Sequence, residues 1–235
     1  MAEDARRWGN LPVSPDPFHV SASRTSATRW ATFDCYGTLI DWNGGIRREL
    51  ARVFGEKRAD TLLGRYHELE PELEADGTRS YREVLTEAMR RLGAPREEED
   101  ALARSLPDWR PFPEVPRALR EARERGWQLA ILSNTDRDFI EASMEQIDVP
   151  FELAIVASEL GSYKPAHGHW RAFAERVGRA PDVHVAASLF HDIGPANELG
   201  LRSIWINRLG EQPGPEPTRE LPDLSGLPRA LEAVV

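Results

Sequence analysis

The sequence predicts an α/β fold, with a parallel sheet of about five strands flanked by helices and with an inserted helical segment. After residue 110, amphipathic helical patterns alternate with short apolar runs, which is typical of βαβ units and parallel strands. Residues 44–110 show apolar side chains at helical spacing only, which predicts about four helices there. With 235 residues, 40% hydrophobic and 29% charged, the chain is typical of globular proteins with a sizeable core.

The elements follow in order along the chain. Residues 1–28 are rich in Pro, Ser, Arg and Asp without any period and predict a loose N-terminal arm. The α/β core is expected over 29–43 and 111–235, and the helical insertion over 44–110. Residues 211–221 are expected to form a surface loop before a terminal helix. Within the core we expect a strand at 29–35, helices near 114–125, 136–146, 167–177 and 194–199, and strands in "WQLAILSN", "FELAIVAS", "VHVAASLF" and "LRSIWINR".

Composition restricts the partners and the compartment. A net charge of −9 argues against nucleic acid as a partner, because phosphate binding needs a basic face. No apolar run approaches the roughly 20 residues of a membrane span, so no membrane association is expected. The single cysteine, Cys35, allows no internal disulfide, and the N-terminal segment lacks an apolar core like that of a signal peptide. The sequence therefore predicts a cytoplasmic protein.

Polar residues follow several predicted strands at the point where each strand ends. Asp34 follows the first strand, Ser133 and Asn134 end the second, and residues 188–192 follow the fourth. Lys164 lies in the loop after the third strand. Because ligands bind beyond the carboxyl ends of strands in open parallel sheets, these residues predict a site. Ordinary turn and helix-capping chemistry could also account for Asp34, Ser133 and Asn134.

Four segments in order, "FDCYGTL", "LAILSN", "YKP" and "HDIGPANELGL", resemble the motifs of the haloacid dehalogenase (HAD) superfamily. The resemblance covers about residues 30–208 and is greatest to the L-2-haloacid dehalogenases. Those enzymes carry a tyrosine, here Tyr36, two residues after the nucleophile, where the phosphatases of the superfamily carry a second aspartate. The resemblance implies a Rossmann-like core, with 44–110 as an α-helical cap.

The resemblance also implies a reaction. Asp34 would displace halide from a small (S)-2-haloalkanoic acid and form an aspartyl ester, which water would hydrolyse to the 2-hydroxy acid of opposite configuration. Thr38 would hold the nucleophile, and Lys164 would neutralise its charge. Asp192 would pair with Lys164 and position the water. Tyr36 would line an apolar pocket, since a halide needs no proton on leaving.

Further residues are expected to bind the substrate. Arg65 in the cap and Asn134 would receive the halide, and Ser133 would hold the substrate carboxylate. Trp170 would form part of the pocket wall. His191, which departs from the family pattern, is a candidate base for water because histidine titrates near neutrality.

Two other functions stay open from the sequence. One is a Mg²⁺-dependent phosphatase acting on a small phosphate ester. Tyr36 and Ala187 argue against it, because they leave few carboxylates for the metal. The other is a ligand- or partner-binding protein that keeps the fold without turnover. The dehalogenase hypothesis requires no cofactor and no metal, and it predicts a small anionic substrate. The family resemblance also suggests a homodimer.

Overall fold

The computed structural model describes residues 28–75, 77–212 and 214–235. The predicted N-terminal arm, except for residue 28, therefore lies outside the described residues. Within the described residues, no helix is long and apolar enough to cross a membrane.

The described residues form one six-stranded sheet in which every paired strand is parallel. The order is β3-β2-β1-β4-β5-β6, so β1 and β4 lie at the centre. The predicted α/β class and parallel sheet are confirmed, but the count of five strands is wrong. The sixth strand falls inside 211–221, and its three residues are too short to show an alternating pattern. The strands are β1 (Arg29–Phe33), β2 (Trp127–Ser133), β3 (Leu153–Val156), β4 (Val183–Ala186), β5 (Ser203–Ile206) and β6 (Arg219–Leu221).

The first four α-helices after β1 lie within residues 42–105, and we call them the cap. They are α1 (Trp42–Phe54), α2 (Glu56–Glu74), α3 (Tyr81–Arg91) and α4 (Ala101–Ser105). The remaining helices accompany the sheet. They are α5 (Val115–Glu124), α6 (Arg137–Ile147), α7 (Ala157–Leu160), α8 (Gly168–Val177), α9 (Gly194–Glu198) and α10 (Leu227–Val234), with a π-helical turn at Leu189–Ile193 before α9.

The cap is joined to the core by a hydrogen-bonded helix end. Both carboxylate oxygens of Asp136, which follows β2, accept hydrogen bonds from the first turn of α3: Tyr81 N donates at 3.0 Å and Arg82 N at 2.9 Å. These N–H groups have no partner inside the helix, and the positive end of the helix dipole favours an anion there. A capping box between Ser80 and Glu83 completes the start of α3.

The strand order brings the polar strand ends together. From β1 the chain extends to β2 and β3 on one side of the sheet, and β4, β5 and β6 lie on the other. The boundary between β1 and β4 is the point at which a doubly wound sheet opens a crevice at its carboxyl edge. Asp34 follows β1 and Asp192 follows β4, so both reach this crevice.

Candidate active site

Asp34 is buried at the end of β1, with both carboxylate oxygens occupied. Its backbone N–H donates to the carbonyl of Val185 at 3.0 Å, which continues the pairing with β4. Thr38 Oγ1 donates to Oδ2 at 2.7 Å, and Lys164 Nζ donates to Oδ1 at 2.9 Å. Gly37 makes the sharp turn between them at φ +87°, a backbone conformation that few other residues adopt.

Lys164 connects the two aspartates of the site. Its Nζ donates to Asp34, to the carbonyl of Leu132 at 2.9 Å and to Asp192 Oδ1 at 2.6 Å, which uses all three N–H bonds. Burial lowers the pKa of Lys164, but the charges of Asp192 and Asp34 outweigh burial and raise it above its ordinary value. The side chain is therefore a fixed cation between two carboxylates.

Asp192 has a second partner that sequence reasoning missed. His184 Nε2 lies 2.9 Å from Asp192 Oδ1, and its Nδ1 lies 2.9 Å from Thr32 Oγ1. With a proton on Nε2 the imidazole donates to Asp192, while Thr32 Oγ1 lies within hydrogen-bond distance of both Nδ1 and, at 3.3 Å, the carbonyl of Val183. Burial raises the pKa of Asp192, but the charge of Lys164 and the bond from His184 more than offset this and hold the pKa well below its ordinary value.

Ser133 and Asn134 line the cavity, but only one of them has a free donor. Asn134 accepts from Lys164 N at 2.7 Å and donates to Lys164 O at 2.9 Å and to Glu74 at 3.4 Å. Its amide thus holds the Lys164 segment, and the expectation that it receives halide stays a prediction. Ser133 Oγ is buried and has no hydrogen-bond partner among the described residues.

Tyr36 contributes its ring to the cavity and directs its hydroxyl elsewhere. The hydroxyl lies 2.9 Å from Ser143 Oγ and donates to the carbonyl of Phe139 at 3.4 Å. The ring stacks against Tyr81 of the cap, with centroids 6.0 Å apart. Burial raises the pKa of Tyr36 well above its usual value, so this phenol is a poor acid or base. The apolar lining role expected for Tyr36 stays a prediction.

Two predicted substrate contacts do not line the cavity, and both expectations need correction. Arg65 lies on the outer face of α2, where its guanidinium pairs with Glu68 and its side chain is 56% exposed. Trp170 is fully buried behind the sheet edge, with its ring 5.2 Å from that of His184. Arg65 lies opposite the buried stripe of its helix. Trp170, on α8, packs in an apolar cluster with Leu132 and Ile155 of the sheet.

His191 borders the cavity beside Asp192, as the sequence predicts. Its Nδ1 lies 3.2 Å from Ser188 Oγ, which also accepts the backbone N–H of His191 at 3.0 Å. Burial lowers the pKa of His191, so the ring is neutral near pH 7 and able to accept a proton. In the tautomer that donates from Nδ1 to Ser188, Nε2 is the basic nitrogen.

These residues surround a cavity of about 710 Å³ between the core and the cap. Five further charged residues that sequence reasoning missed line the cavity: Glu70 and Glu74 of α2, Arg208 after β5, Asp41 and Glu211. Arg208 pairs with Glu114 at 2.7 Å, and its guanidinium lies over the ring of Phe112. In the sequence, Glu70 and Glu74 are marked as neighbours only by their spacing of four residues, beside the apolar stripe of their helix.

Comparison with known proteins decides the family. The model of the haloacid dehalogenase-like hydrolases matches residues 28–187, more than half of the chain. The chain belongs to the haloacid dehalogenase-like hydrolases. It is thus a hydrolase, as its motifs predict.

Similar proteins within this family include two with different activities. The (S)-2-haloacid dehalogenase 4A of Burkholderia cepacia is 27% identical over 79% of this chain and 85% of its own. A phosphoserine phosphatase of Thermus thermophilus is 30% identical over 73% of this chain and 72% of its own. A solved L-2-haloacid dehalogenase of Xanthobacter autotrophicus, with chloropropionic acid covalently bound, has a TM-score of 0.77 at 18% identity. That match covers 89% of this chain and all of the solved one.

The donor set at Asp34 does not fit the Mg²⁺ that the phosphatase alternative requires. Magnesium takes about six hard oxygen ligands in octahedral geometry, usually one or two carboxylates together with waters and substrate phosphate oxygens. Here Asp192 Oδ1 is bonded to Lys164 and His184, and Ala187 and Tyr36 supply no carboxylate. Within 28–75, 77–212 and 214–235, no three His, Cys, Asp or Glu residues are grouped so that they could hold a metal ion. We therefore derive no step through a metal.

Proposed function

We propose that this haloacid dehalogenase-like hydrolase cleaves the carbon–halogen bond of small (S)-2-haloalkanoic acids, using Asp34 as nucleophile. The observation that carries the proposal is the pairing of Asp34 with Thr38 and Lys164, beside a tyrosine whose hydroxyl is bonded to Ser143. The site thus has an aligned carboxylate and no acid at Tyr36 to protonate a leaving group. A halide leaves without a proton, whereas an alkoxide does not.

In the first step, an oxygen of Asp34 attacks C2 of the substrate from the side opposite the halogen. The new C2–O bond forms as the carbon–halogen bond breaks, and the halide leaves with its electron pair. Thr38 and Lys164 fix the carboxylate in place, which removes much of the entropic barrier to displacement. The product is an ester between Asp34 and the acid, with the configuration at C2 inverted.

In the second step, water attacks the carbonyl carbon of the Asp34 ester. His191 accepts a proton from the water at Nε2, and Asp192 orients the water through Oδ2, which has no hydrogen-bond partner among the described residues. Lys164 stabilises the charge that develops on the ester oxygen. The acyl–oxygen bond then breaks, and the proton that His191 took from the water passes to the leaving alkoxide oxygen. The 2-hydroxy acid leaves with an oxygen that came from Asp34, and Asp34 is restored as a carboxylate.

The substrate carboxylate has two supports on the core side of the cavity. The free hydroxyl of Ser133 donates one hydrogen bond, because its Oγ has no other partner among the described residues. Arg208, the arginine that borders the cavity in the described chain, supplies positive charge. The proposal therefore places Arg208 beside the substrate carboxylate, a different role from the receipt of halide that the sequence had suggested for Arg65. The predicted homodimer stays a prediction.

Halide release with isotope labelling tests the proposal. Purified protein is incubated with (S)- and (R)-2-chloropropionate in EDTA, and Asp34→Asn serves as the inactive variant. We expect chloride from the (S) form only, and none from Asp34→Asn. A single turnover in H₂¹⁸O should place ¹⁸O in Asp34, which peptide mass spectrometry detects, and not in the product. Label in the product alone would contradict the ester.

A second set of reactions tests the phosphatase alternative, which the relative from Thermus thermophilus favours. O-phosphoserine and p-nitrophenyl phosphate are supplied with Mg²⁺, and phosphate is measured. Phosphate release without any halide release would replace the proposed function. If both substrate classes stay intact, the non-catalytic binding function becomes the better explanation.

A further inference from the structure

The cap side of the cavity is built around two glutamates on α2. Glu74 is buried, and its Oε2 accepts from Asn134 Nδ2 at 3.4 Å. Glu70, one turn earlier, is half-buried, and its Oε1 accepts from the hydroxyls of Tyr81 at 2.9 Å and Tyr66 at 3.2 Å. Both carboxyl groups border the same cavity as Asp34. They are thus held in place by neutral donors, from both the cap and the core.

Acidic groups outnumber basic groups around the cavity. The described residues that line it provide six carboxyl groups but only one lysine and one arginine. Lys164 is already paired with Asp34 and Asp192, and Arg208 is paired with Glu114. The cap side therefore presents two carboxyl groups whose hydrogen-bond partners shown are neutral. The six are Asp34, Asp41, Glu70, Glu74, Asp192 and Glu211.

Holding two carboxyl groups together out of water is costly for the fold. Burial raises the pKa of Glu70 to about 7, against the opposing effect of its two tyrosine bonds. Burial and then the charge of Glu70 raise the pKa of Glu74 to about 9. Apolar or amide side chains would avoid this cost, and strongly shifted pKa values in a cavity are typical of functional sites.

A separate observation indicates that the cavity holds a ligand. Ser133 Oγ is 1% exposed, faces the same cavity and has no hydrogen-bond partner among the described residues. Buried hydroxyl groups are nearly always bonded, so this one indicates a partner that enters from the cavity. Ser133 lies on the core side and the glutamates on the cap side, so one molecule could engage both.

The cavity is also larger than a two- or three-carbon acid requires. Its volume of about 710 Å³ falls within the roughly 300–1,000 Å³ of pockets that enclose much larger ligands. A substrate whose carboxylate lies at Ser133 and Arg208 therefore has room for a chain that extends toward Glu70 and Glu74. At the cap end, the partners shown for the two carboxyl groups are neutral donors, which favours a substrate with a positive group at its far end.

From these contacts we propose that Glu70 and Glu74 bind a protonated amino group of the substrate. This inference rests on the proposed function: it makes the preferred substrate an (S)-2-haloalkanoic acid with an amino group on its chain, and the product an amino-substituted 2-hydroxy acid. A shared ammonium group neutralises the pair and donates hydrogen bonds to both carboxylates. Asn134, which bonds to Glu74 and to the Lys164 segment, positions this end of the site relative to Asp34.

Substrates matched in length test the inference. Halide release is compared for (S)-2-chlorobutanoate, (S)-2-chloro-4-hydroxybutanoate and (S)-2-chloro-4-aminobutanoate. We expect kcat/KM for the amino compound to exceed that for chlorobutanoate by about tenfold or more, as for a charge-assisted hydrogen bond. Equal kcat/KM for the amino and the unsubstituted compound would overturn the inference. Equal kcat/KM for the amino and the hydroxy compound would show that the site does not recognise the positive charge, which would also overturn it.

Variants of the pair provide the second part of the test. In Glu70→Gln and Glu74→Gln, the ratio of the amino to the unsubstituted kcat/KM should fall at least about fivefold. The matched control is Glu72→Gln on the same helix, because the Glu72 side chain is 62% exposed, lies outside the cavity lining and pairs with Arg91. This variant should keep the wild-type ratio. A ratio unchanged in both cavity variants would overturn the inference.

A binding measurement separates failure of this inference from failure of the proposed function. Calorimetry with wild-type protein compares 4-amino-2-hydroxybutanoate with 2-hydroxybutanoate, neither of which contains a halogen. If no halide is released from any substrate, selective binding of the amino compound that disappears in Glu74→Gln would still support the inference. Equal binding of both compounds, or none, would overturn it.

Discussion

His184 and Asp192 are joined by a 2.9 Å hydrogen bond, fully buried beneath the candidate active site. His184 lies on β4, and Asp192 lies in the π-helical turn that follows this strand. The same Asp192 oxygen receives Lys164, so the imidazole fixes the carboxylate that fixes the lysine. Asp34 at the cavity is thus supported by a chain of three buried ionisable side chains.

We expect His184→Phe to slow the hydrolysis of the ester more than its formation. The variant removes the imidazole hydrogen bond that restrains Asp192, the residue proposed to orient the attacking water. A burst of halide, equal to the enzyme concentration and followed by a slow phase, should appear in rapid-quench experiments. Loss of stability alone would lower both phases together. The free energy of unfolding should also fall by about 1–3 kcal/mol, since Thr32 loses its ring partner.

Two companion variants make the His184 result interpretable. His184→Gln keeps a donor toward Asp192 and should restore part of the slow phase. His167→Asn should behave like wild type, because His167 lies away from the cavity lining and pairs with Glu198. A His184→Phe protein without a burst, with both steps slowed equally, would show that the residue has no positioning role.

Lys164→Met should be one of the most damaging single changes. It leaves Asp34 and Asp192 buried without their cation, and breaking a buried ion pair costs about 3–5 kcal/mol. Halide release should fall at least about a hundredfold, as is typical when one hydrogen-bond donor that stabilises developing charge is removed from an active site. Urea unfolding and chloride release measure the two effects. Lys57→Met on the exposed face of α2 is the control, and equal stability of the two variants would contradict the assigned role.

The core of the site could be predicted from the sequence because local segments carry it. Asp34, Ser133, Lys164 and Asp192 each lie just beyond a strand or in the loop after one, and parallel strands bring such ends to one edge. The partner of Asp192 was missed because His184 stands within an apolar run, "VHVA", that reads as an ordinary buried strand. Its contact becomes visible only when the following turn folds back.

The cap was predicted as helical, but the direction of its side chains was not. In α2, Leu62, Leu69 and Leu73 form the buried stripe, and Arg65 falls on the opposite face. The orientation of this stripe depends on the turn at Gly55, where φ is +88°, and on contacts with the distant Asn134. Charged residues on helices are usually solvated, so glutamates at a buried boundary give no sequence signal of their own.

Glu74 should make stability depend on pH in the direction opposite to that of an ion-paired carboxylate. Its pKa rises from 4.5 to about 9 on folding, so the folded chain binds the proton more tightly than the unfolded chain. Its contribution is most favourable below pH 4.5 and is lost as the pH rises toward 9. The free energy of unfolding of the wild-type protein should therefore fall between pH 5 and pH 8. In Glu74→Gln this fall should be smaller by at least about 1 kcal/mol.

Urea unfolding at several pH values checks this prediction, with Glu72→Gln as the control that keeps the wild-type slope. An identical slope in Glu74→Gln would contradict the raised pKa of Glu74. The charged and polar groups that act on Glu74 come from the cap, the core and the loop after α2: Glu70, Asp34, Lys164 and Asn134, with Arg79 bonded nearby to the carbonyl of Leu73.

Arg65→Ala should leave halide release within about twofold of wild type, because the guanidinium points to solvent and pairs with Glu68.

Arg208→Ala should raise KM for the anionic substrate at least about tenfold, since Arg208 lines the cavity where the carboxylate is proposed to bind. Initial rates over a range of (S)-2-chloropropionate concentrations compare the two. A large loss in Arg65→Ala with little change in Arg208→Ala would contradict both assignments.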